Sequence, residues 1–338
     1  MRQLTKIGIV ALFGLTVVSL KLPAQEAKTK QATAKKTAAK KATPKWAPTK
    51  ATEADVPYGP HERQKVDFYR AKSDKPTPVV LFIHGGGWVN GDKAGVQNSL
   101  NIGKLNENGI SVVSVQYRLI PDAINNRVEP PVKWPLEDAA RALQFVRSKA
   151  KEWNFDKERI AACGGSAGAC SSLWLAMHDD MADARNDDPV KRESTRLWGV
   201  VVSGAQTSLD PKYTREWMPN MVYGGHAFGF RDTTKPRDVE FQRFYDNREK
   251  VLPWIREYSP IEHVSKDDPP LILLYSGNKK AVKGEPQQDP THSPLLGKML
   301  QEKAVPLGVK CVVSYPAESD SNYKTPTESL ISLLKENR

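Results

Sequence analysis

From about residue 60 to its end the chain switches repeatedly between two hydrophobic periods, and that switching restricts it to very few architectures. Residues 64–70 read as a strand. Residues 78–84 form a continuous apolar run ending in glycines, the pattern of a strand covered on both faces. Residues 98–108 are helix-like and 110–117 strand-like, and 135–153 carry a helical period through Leu136, Ala140, Leu143 and Val146. Residues 159–163 enter a tight turn as a strand, 167–178 leave it as a helix, and 197–202 form the next strand. Residues 271–275, 293–304, 309–315 and 326–336 continue as strand, helix, strand and helix. This alternation predicts an α/β fold, a mostly parallel central sheet with helices on both faces. Residues 208–259, rich in aromatic residues, Arg and Pro, break the pattern and are expected to form a cap-like insertion facing a ligand. A purely structural flap is the alternative.

The folded part is expected to occupy residues 56–338. Residues 1–24 read as a signal peptide: Arg2 and Lys6 precede an apolar run over 7–20, and Leu22-Pro23-Ala24 offers a cleavage point. That run is shorter than the ~20 residues of a spanning helix, so no stable membrane span is expected after cleavage, and the destination is periplasmic or extracellular. Residues 25–55 form a Lys/Ala/Thr-rich linker expected to be disordered. The formal net charge of +11 belongs almost entirely to this N-terminal region, where Lys28, Lys30, Lys35, Lys36, Lys40, Lys41, Lys45 and Lys50 face only Glu26. The remainder is close to neutral, which argues against a nucleic-acid-binding surface. The basic segment is a solvated spacer or a contact for an anionic envelope. Three cysteines, Cys163, Cys170 and Cys311, lie in apolar runs and are expected to be buried and free.

The chemistry concentrates at Gly164-Gly165-Ser166-Ala167-Gly168, between a strand and a helix. A serine on such a turn presents its Oγ from a strained backbone, and flanking glycines give the turn room. A second signal, His84-Gly85-Gly86-Gly87-Trp88, falls where the strand over 78–84 ends. A glycine run there leaves backbone N–H groups free to stabilise an oxyanion. No metal-ligand spacing, phosphate loop or dinucleotide fingerprint occurs in a suitable context, so neither metal nor cofactor is expected.

Together with Gly91-Asp92-Lys93, Val115-Gln116-Tyr117-Arg118-Leu119, Pro135-Leu136-Glu137-Asp138-Ala139-Ala140 and Ser259-Pro260-Ile261-Glu262-His263-Val264, these motifs resemble those of α/β-hydrolases. The resemblance is strongest to bacterial feruloyl- and acetylxylan-esterase-like proteins, kin to the hormone-sensitive-lipase-like group, and it covers most of the chain from residue 64 onward. It implies a Ser-His-acid triad with Ser166 as nucleophile and an oxyanion hole from the N–H groups of Gly86, Gly87 and Ala167. The family's acid follows the strand over 271–275; Asp289, before Pro290, matches it if residues 278–288 contain an insertion. The family's histidine should follow the strand over 309–315, yet residues 316–323 contain none.

Only six histidines are available. His61 precedes the first strand, His84 opens the glycine loop, His178 lies about 18 Å along the helix from Ser166, and His263 precedes a strand and so belongs to the opposite sheet edge. His226 and His292 remain. His292, three residues after Asp289, is the favoured base, oriented by Asp289, Asp320 or Glu318, since a triad is defined by geometry rather than chain order. Trp88, His226 and Trp217 are further candidates for substrate contact, with Tyr223 and Phe228 beside them. The expected activity is that of an exported serine carboxylesterase removing acetyl or feruloyl groups from polysaccharides. The alternative is a non-catalytic relative that keeps the pocket and binds carbohydrate or another small ligand.

Overall fold

The computed structural model describes residues 46–318 and 323–336. Its core is one eight-stranded sheet with the order β1-β2-β4-β3-β5-β6-β7-β8. The strands are β1 (Glu53–Pro57), β2 (Lys65–Tyr69), β3 (Thr77–Ile83), β4 (Ser111–Gln116), β5 (Phe155–Gly165), β6 (Gly199–Ser203), β7 (Leu271–Leu274) and β8 (Cys311–Ser314). β1 and β2 run antiparallel to their neighbours; every pairing from β4 to β8 is parallel. β3 sits centrally, and the chain winds from it in both directions, placing the loops at the carboxyl ends of β3 and β5 side by side.

The apolar runs follow from burial on both faces. In β3, Val79, Leu81 and Ile83 point into one hydrophobic layer, and Val80 and Phe82 into the other. β7 divides the same way, Leu271 and Leu273 against Ile272 and Leu274. The first layer is closed by helices Lys133–Ser148, Ala167–Met177 and Pro294–Ala304. The second is closed by Leu100, Ile102 and Leu105 and by Leu330, Leu333 and Leu334 of helix Pro326–Lys335. Helix Ala167–Met177 is buried along its whole length, which explains why it carries no charged residue. All three cysteines are buried and free.

Four local expectations change. The linker expected to run to residue 55 ends earlier. Thr49 and Gln97 exchange hydrogen bonds, Thr52 N–H donates to Phe68 O, and β1 adds an edge strand to β2. The helix expected over 98–108 is two short helices, Val96–Ser99 and Ile102–Glu107, divided where Leu100 is extended and Asn101 caps the second through Lys104 N–H. The helix expected over 135–153 is likewise Lys133–Ser148 followed by Ala150–Trp153, the latter ending at left-handed Asn154. The irregular stretch at 208–259 contains helices Pro211–Trp217, Arg237–Asp246 and Leu252–Tyr258, whose Phe241, Phe244 and Ile255 join the main core. The segment expected to be a signal peptide and most of the basic linker lie outside the described residues.

Candidate active site

Ser166 follows the last residue of β5 and precedes helix Ala167–Met177. Its backbone, at φ 52° and ψ −121°, is one that a side-chain-bearing residue adopts only at a cost of about 1–3 kcal/mol. The flanking glycines make the turn possible. A Cβ on Gly168 would lie 2.0 Å from the carbonyl oxygen of Ile83, and one on Gly164 would lie 2.6 Å from that oxygen and from Gly168 O. β3 and the helix therefore approach closely enough to fix the serine against the glycine loop. Ser166 N–H donates to Ser203 O across the adjoining strand.

His292 Nε2 lies 3.0 Å from Ser166 Oγ, and His292 Nδ1 lies 2.7 Å from Asp289 Oδ2. A carboxylate can only accept, so the Nδ1 proton points to Asp289, and the Nε2 lone pair faces the serine hydroxyl. Acid and base share one turn of 3₁₀ helix, Pro290–His292, and Asp289 also accepts from the His292 backbone N–H. That cap sets the imidazole direction from the same side chain that sets its tautomer. The turn is held from below by Gln206, whose amide donates to Thr291 O at 2.7 Å and to Gly204 O. Gly204, at φ +57°, forms the floor: a Cβ there would touch the His292 ring at 3.2 Å.

The remaining carboxylate candidates lie elsewhere. Glu318 accepts from Lys298 Nζ and Tyr315 Oη, which occupies it away from His292. Asp320 lies outside the described residues. Of the other histidines, His84 is buried, stacked on Tyr117 and bound through Nδ1 to Gly85 O. Burial pushes its pKa down to about 4.

The glycine loop reaches the serine directly. A Cβ on Gly85 would lie 2.5 Å from Gly165 O and 3.5 Å from Ser166 Cβ. Gly86 (φ 107°) and Gly87 (φ 60°) occupy conformations that favour glycine, and the loop closes through Gly86 O, which accepts from Val89 and Asn90 N–H. Among the described residues, the N–H groups of Gly86, Gly87 and Ala167 have no acceptor. Ala167 contributes the first N–H of the elbow helix, where the helix end itself favours negative charge.

His226 is not at the base position. Its ring packs edge-on against Tyr223 beside the glycine loop, with Nε2 3.6 Å from where a Cβ of Gly87 would be. Burial first, and then the charges of Arg237 and Arg231, lower its pKa to about 4. Tyr223 Oη is buried and has no hydrogen-bond partner among the described residues, and His226 sits against the Gly87 backbone. They border a cleft of about 450 Å³ that includes Gly87, Val89, Arg231 and Arg237. A second cleft, of about 510 Å³, opens on the far side of Asp289 and His292, beside Lys279 and Lys280.

The two tryptophans expected to meet substrate are structural. Trp88 is fully buried, and its indole N–H donates to Ser171 Oγ inside the elbow helix. Trp217 is 3% exposed and covered by Lys283 Nζ, 4.1 Å above its ring. Phe228 stacks on Phe244 in the core. Sequence reasoning did not single out Gly204 or Gln206; both act on residues some 85 positions away, and no local pattern signals that.

The BD-FAE family profile matches residues 66–289. Among curated proteins, the chain is similar to esterase LipC of Mycobacterium tuberculosis, 28% identical over 67% of this chain and 51% of that one. It is also similar to a probable isoprenylcysteine alpha-carbonyl methylesterase, ICMEL1, of Arabidopsis thaliana, 31% identical over 67% and 44%. The chain spans about half the length of the curated relatives it matches. Among solved structures, it resembles the acetyl ester-xyloside bifunctional hydrolase of Caldicellulosiruptor lactoaceticus. That comparison has 25% identity and a TM-score of 0.53, and covers 75% of this chain and 78% of that one. It shares the fold of a truncated carbohydrate esterase from gut microbiota at 21% identity and TM-score 0.55, covering 78% and 86%. The mostly parallel eight-stranded sheet agrees with these likenesses, and the chain belongs to the BD-FAE family of α/β-hydrolases.

Proposed function

We propose that this protein is an exported serine carboxylesterase that removes acetyl or feruloyl groups from polysaccharides. The observation that carries the reading is the continuous chain from Ser166 Oγ through His292 to Asp289, beside the glycine loop. His292 Nε2 takes the hydroxyl proton as Ser166 Oγ attacks the ester carbonyl. The carbonyl oxygen becomes an oxyanion held by the N–H groups of Gly86, Gly87 and Ala167. Collapse breaks the bond to the leaving alkoxide, which takes the proton from His292 and departs as the alcohol, and Ser166 carries the acyl group. Water then enters, gives its proton to His292 and releases the carboxylic acid, and the proton returns to Ser166. Asp289 stays ionised throughout and stabilises the imidazolium of His292.

Substrate class and export are read from the relatives and from the first residues of the chain. The solved relatives include an acetyl ester-xyloside hydrolase and a carbohydrate esterase, and the first residues have the charge and apolar run of an export signal. No helix among the described residues is long and apolar enough to cross a membrane. The test is turnover of p-nitrophenyl acetate, methyl ferulate and acetylated xylan by the native chain and Ser166→Ala. Release of acid that requires Ser166 supports the reading. Equal turnover by Ser166→Ala rejects Ser166 as the nucleophile, and no turnover by either across all three esters rejects the enzyme in favour of a binding protein.

A further inference from the structure

Away from Ser166, at the far end of the elbow helix, three side chains converge from three segments. His178 caps the C-terminus of helix Ala167–Met177, Glu257 belongs to helix Leu252–Tyr258, and His263 follows the short turn Pro260–Glu262. One donor atom from each lies within 4.8 Å of the others. We propose that His178, Glu257 and His263 form a binding site for a divalent transition-metal ion of the zinc or cobalt type.

The hydrogen bonds around the cluster assign its protons. His178 Nδ1 lies 2.9 Å from the carbonyl oxygen of Asp179, which can only accept, so Nδ1 carries a proton. His263 Nε2 likewise donates to the carbonyl oxygen of Glu257 at 2.6 Å. In the neutral rings the lone pairs are then His178 Nε2 and His263 Nδ1. His178 Nε2 faces Glu257 Oε1 at 3.3 Å, an acceptor opposite an acceptor. A cation between them removes that repulsion. Imidazole ligands of metals commonly have this second bond, a ring N–H given to a backbone carbonyl that fixes the tautomer.

The geometry is close to what a metal requires. Two donors bound to a tetrahedral zinc at ~2.1 Å lie about 3.4 Å apart, and the His178–Glu257 pair already stands at 3.3 Å. The third donor, on His263, has about 1.4 Å to close at most from its 4.8 Å limit, a shift within reach of side-chain rotation in the two half-buried histidines. The frame beneath is already assembled: Trp174 Nε1–H donates to the same Glu257 carbonyl that His263 uses, and the rings of His178 and His263 lie 4.8 Å apart. Two imidazoles and one carboxylate suit zinc, cobalt or nickel better than magnesium or calcium, which prefer all-oxygen shells. Three protein ligands leave room for water to complete the shell. The ion would tie the insertion to the helix that carries the nucleophile, with no part in the ester chemistry.

The experiment titrates untagged, chelator-treated full chain with Co²⁺, read by visible absorption, and with Zn²⁺, read by calorimetry and by Tm. One equivalent is expected, with a Tm rise of about 3 °C at tenfold excess over Kd. His178→Gln and Glu257→Gln should each weaken binding by about tenfold or more while p-nitrophenyl acetate turnover stays at the native rate. Glu257 is exposed, so Glu257→Gln keeps the test interpretable if His178→Gln folds poorly. Absence of saturable binding, or binding unchanged in Glu257→Gln, overturns the proposal whatever the protein's activity on esters.

Discussion

Asp289→Asn isolates what the acid contributes. The amide keeps the size and the capping oxygen of the carboxylate, so the Pro290–His292 turn and its bond to His292 N–H should survive. Two things change. The negative charge that stabilises imidazolium disappears, and the amide can offer an N–H to Nδ1, which favours the tautomer with its proton on Nε2 and leaves Ser166 without a base. For a buried triad aspartate this substitution costs about 10⁴ in kcat. Asp289 is 60% exposed on its side chain, so water screens its field and can replace part of its role. The expected loss is therefore smaller, about 10²–10³ in kcat, or about 3–4 kcal/mol of barrier. KM should hardly move, because Asp289 is placed to act through His292 rather than on substrate. The assay is steady-state hydrolysis of p-nitrophenyl acetate, with Tm measured in parallel. His292→Ala should lose more than Asp289→Asn, since the base itself is gone. Asp289→Ala should match the activity loss of Asp289→Asn and add about 1 kcal/mol of destabilisation from the lost cap. An Asp289→Asn enzyme within about threefold of native kcat, alongside an inactive His292→Ala, would refute the orienting role and point to solvent or another group as sufficient for the tautomer.

Gly204→Ala should lower kcat by about tenfold or more without a matching change in KM. The added methyl meets the His292 ring at 3.2 Å from a left-handed backbone, and sub-ångström misplacement of a base is costly; a native kcat would show that the floor under His292 yields freely. Tyr223→Phe removes a buried hydroxyl that has no partner in the free protein. Tm should hold or rise, while kcat/KM falls if that hydroxyl meets bound ester; a clear drop in Tm would mean it is already satisfied. Acid should destabilise the fold between pH 6.5 and about 4. Buried His84 titrates near 4 when folded against 6.5 unfolded, so the unfolded chain binds the extra proton first. His84 alone accounts for at most about 3 kcal/mol lost as pH falls through that window. Asp268, raised to about 6 chiefly by burial, works in the opposite sense, since its contribution is present at low pH and is lost as pH rises from 3.8 through 6. Chemical denaturation across pH 4–7 should therefore show a smaller net slope in native protein than in Asp268→Asn, and the slope should diminish in His84→Gln.

The parts of the molecule that are legible in its sequence are those whose cause is local. β3 and β7 are buried on both faces, so their residues read as uninterrupted apolar runs whatever packs on them. The elbow is legible because its strain and close approach demand glycine at fixed spacing: only hydrogen fits where Gly168 meets Ile83 O. β1 is hard to see for the converse reason. It is an edge strand with no buried residue, exposed at Ala54, Asp55 and Pro57, and its pairing with β2 leaves no hydrophobic period behind. The insertion is opaque because its helices are short and bury aromatic rings against one another, as Phe228, Phe230 and Phe241 do around Phe244, rather than along one stripe. The site divides along the same line. Ser166 and Gly86–Gly87 announce themselves through backbone requirements, whereas a base announces itself only through what stands opposite it. Elimination among six histidines could reach His292, because the loop after β8 lacks one, but Gln206 and Gly204 leave no mark in sequence. Their work is to hold a turn contributed by residues 289–292, and that contact exists only once β6 and β7 lie side by side. His292, on the loop after β7, can serve Ser166 only where neighbouring strands supply such support. Transferring the histidine alone, as Asp289→Ala/His292→Ala with a new histidine after Tyr315, should therefore fail to restore turnover unless the 316–323 loop also gains a partner for its Nδ1–H.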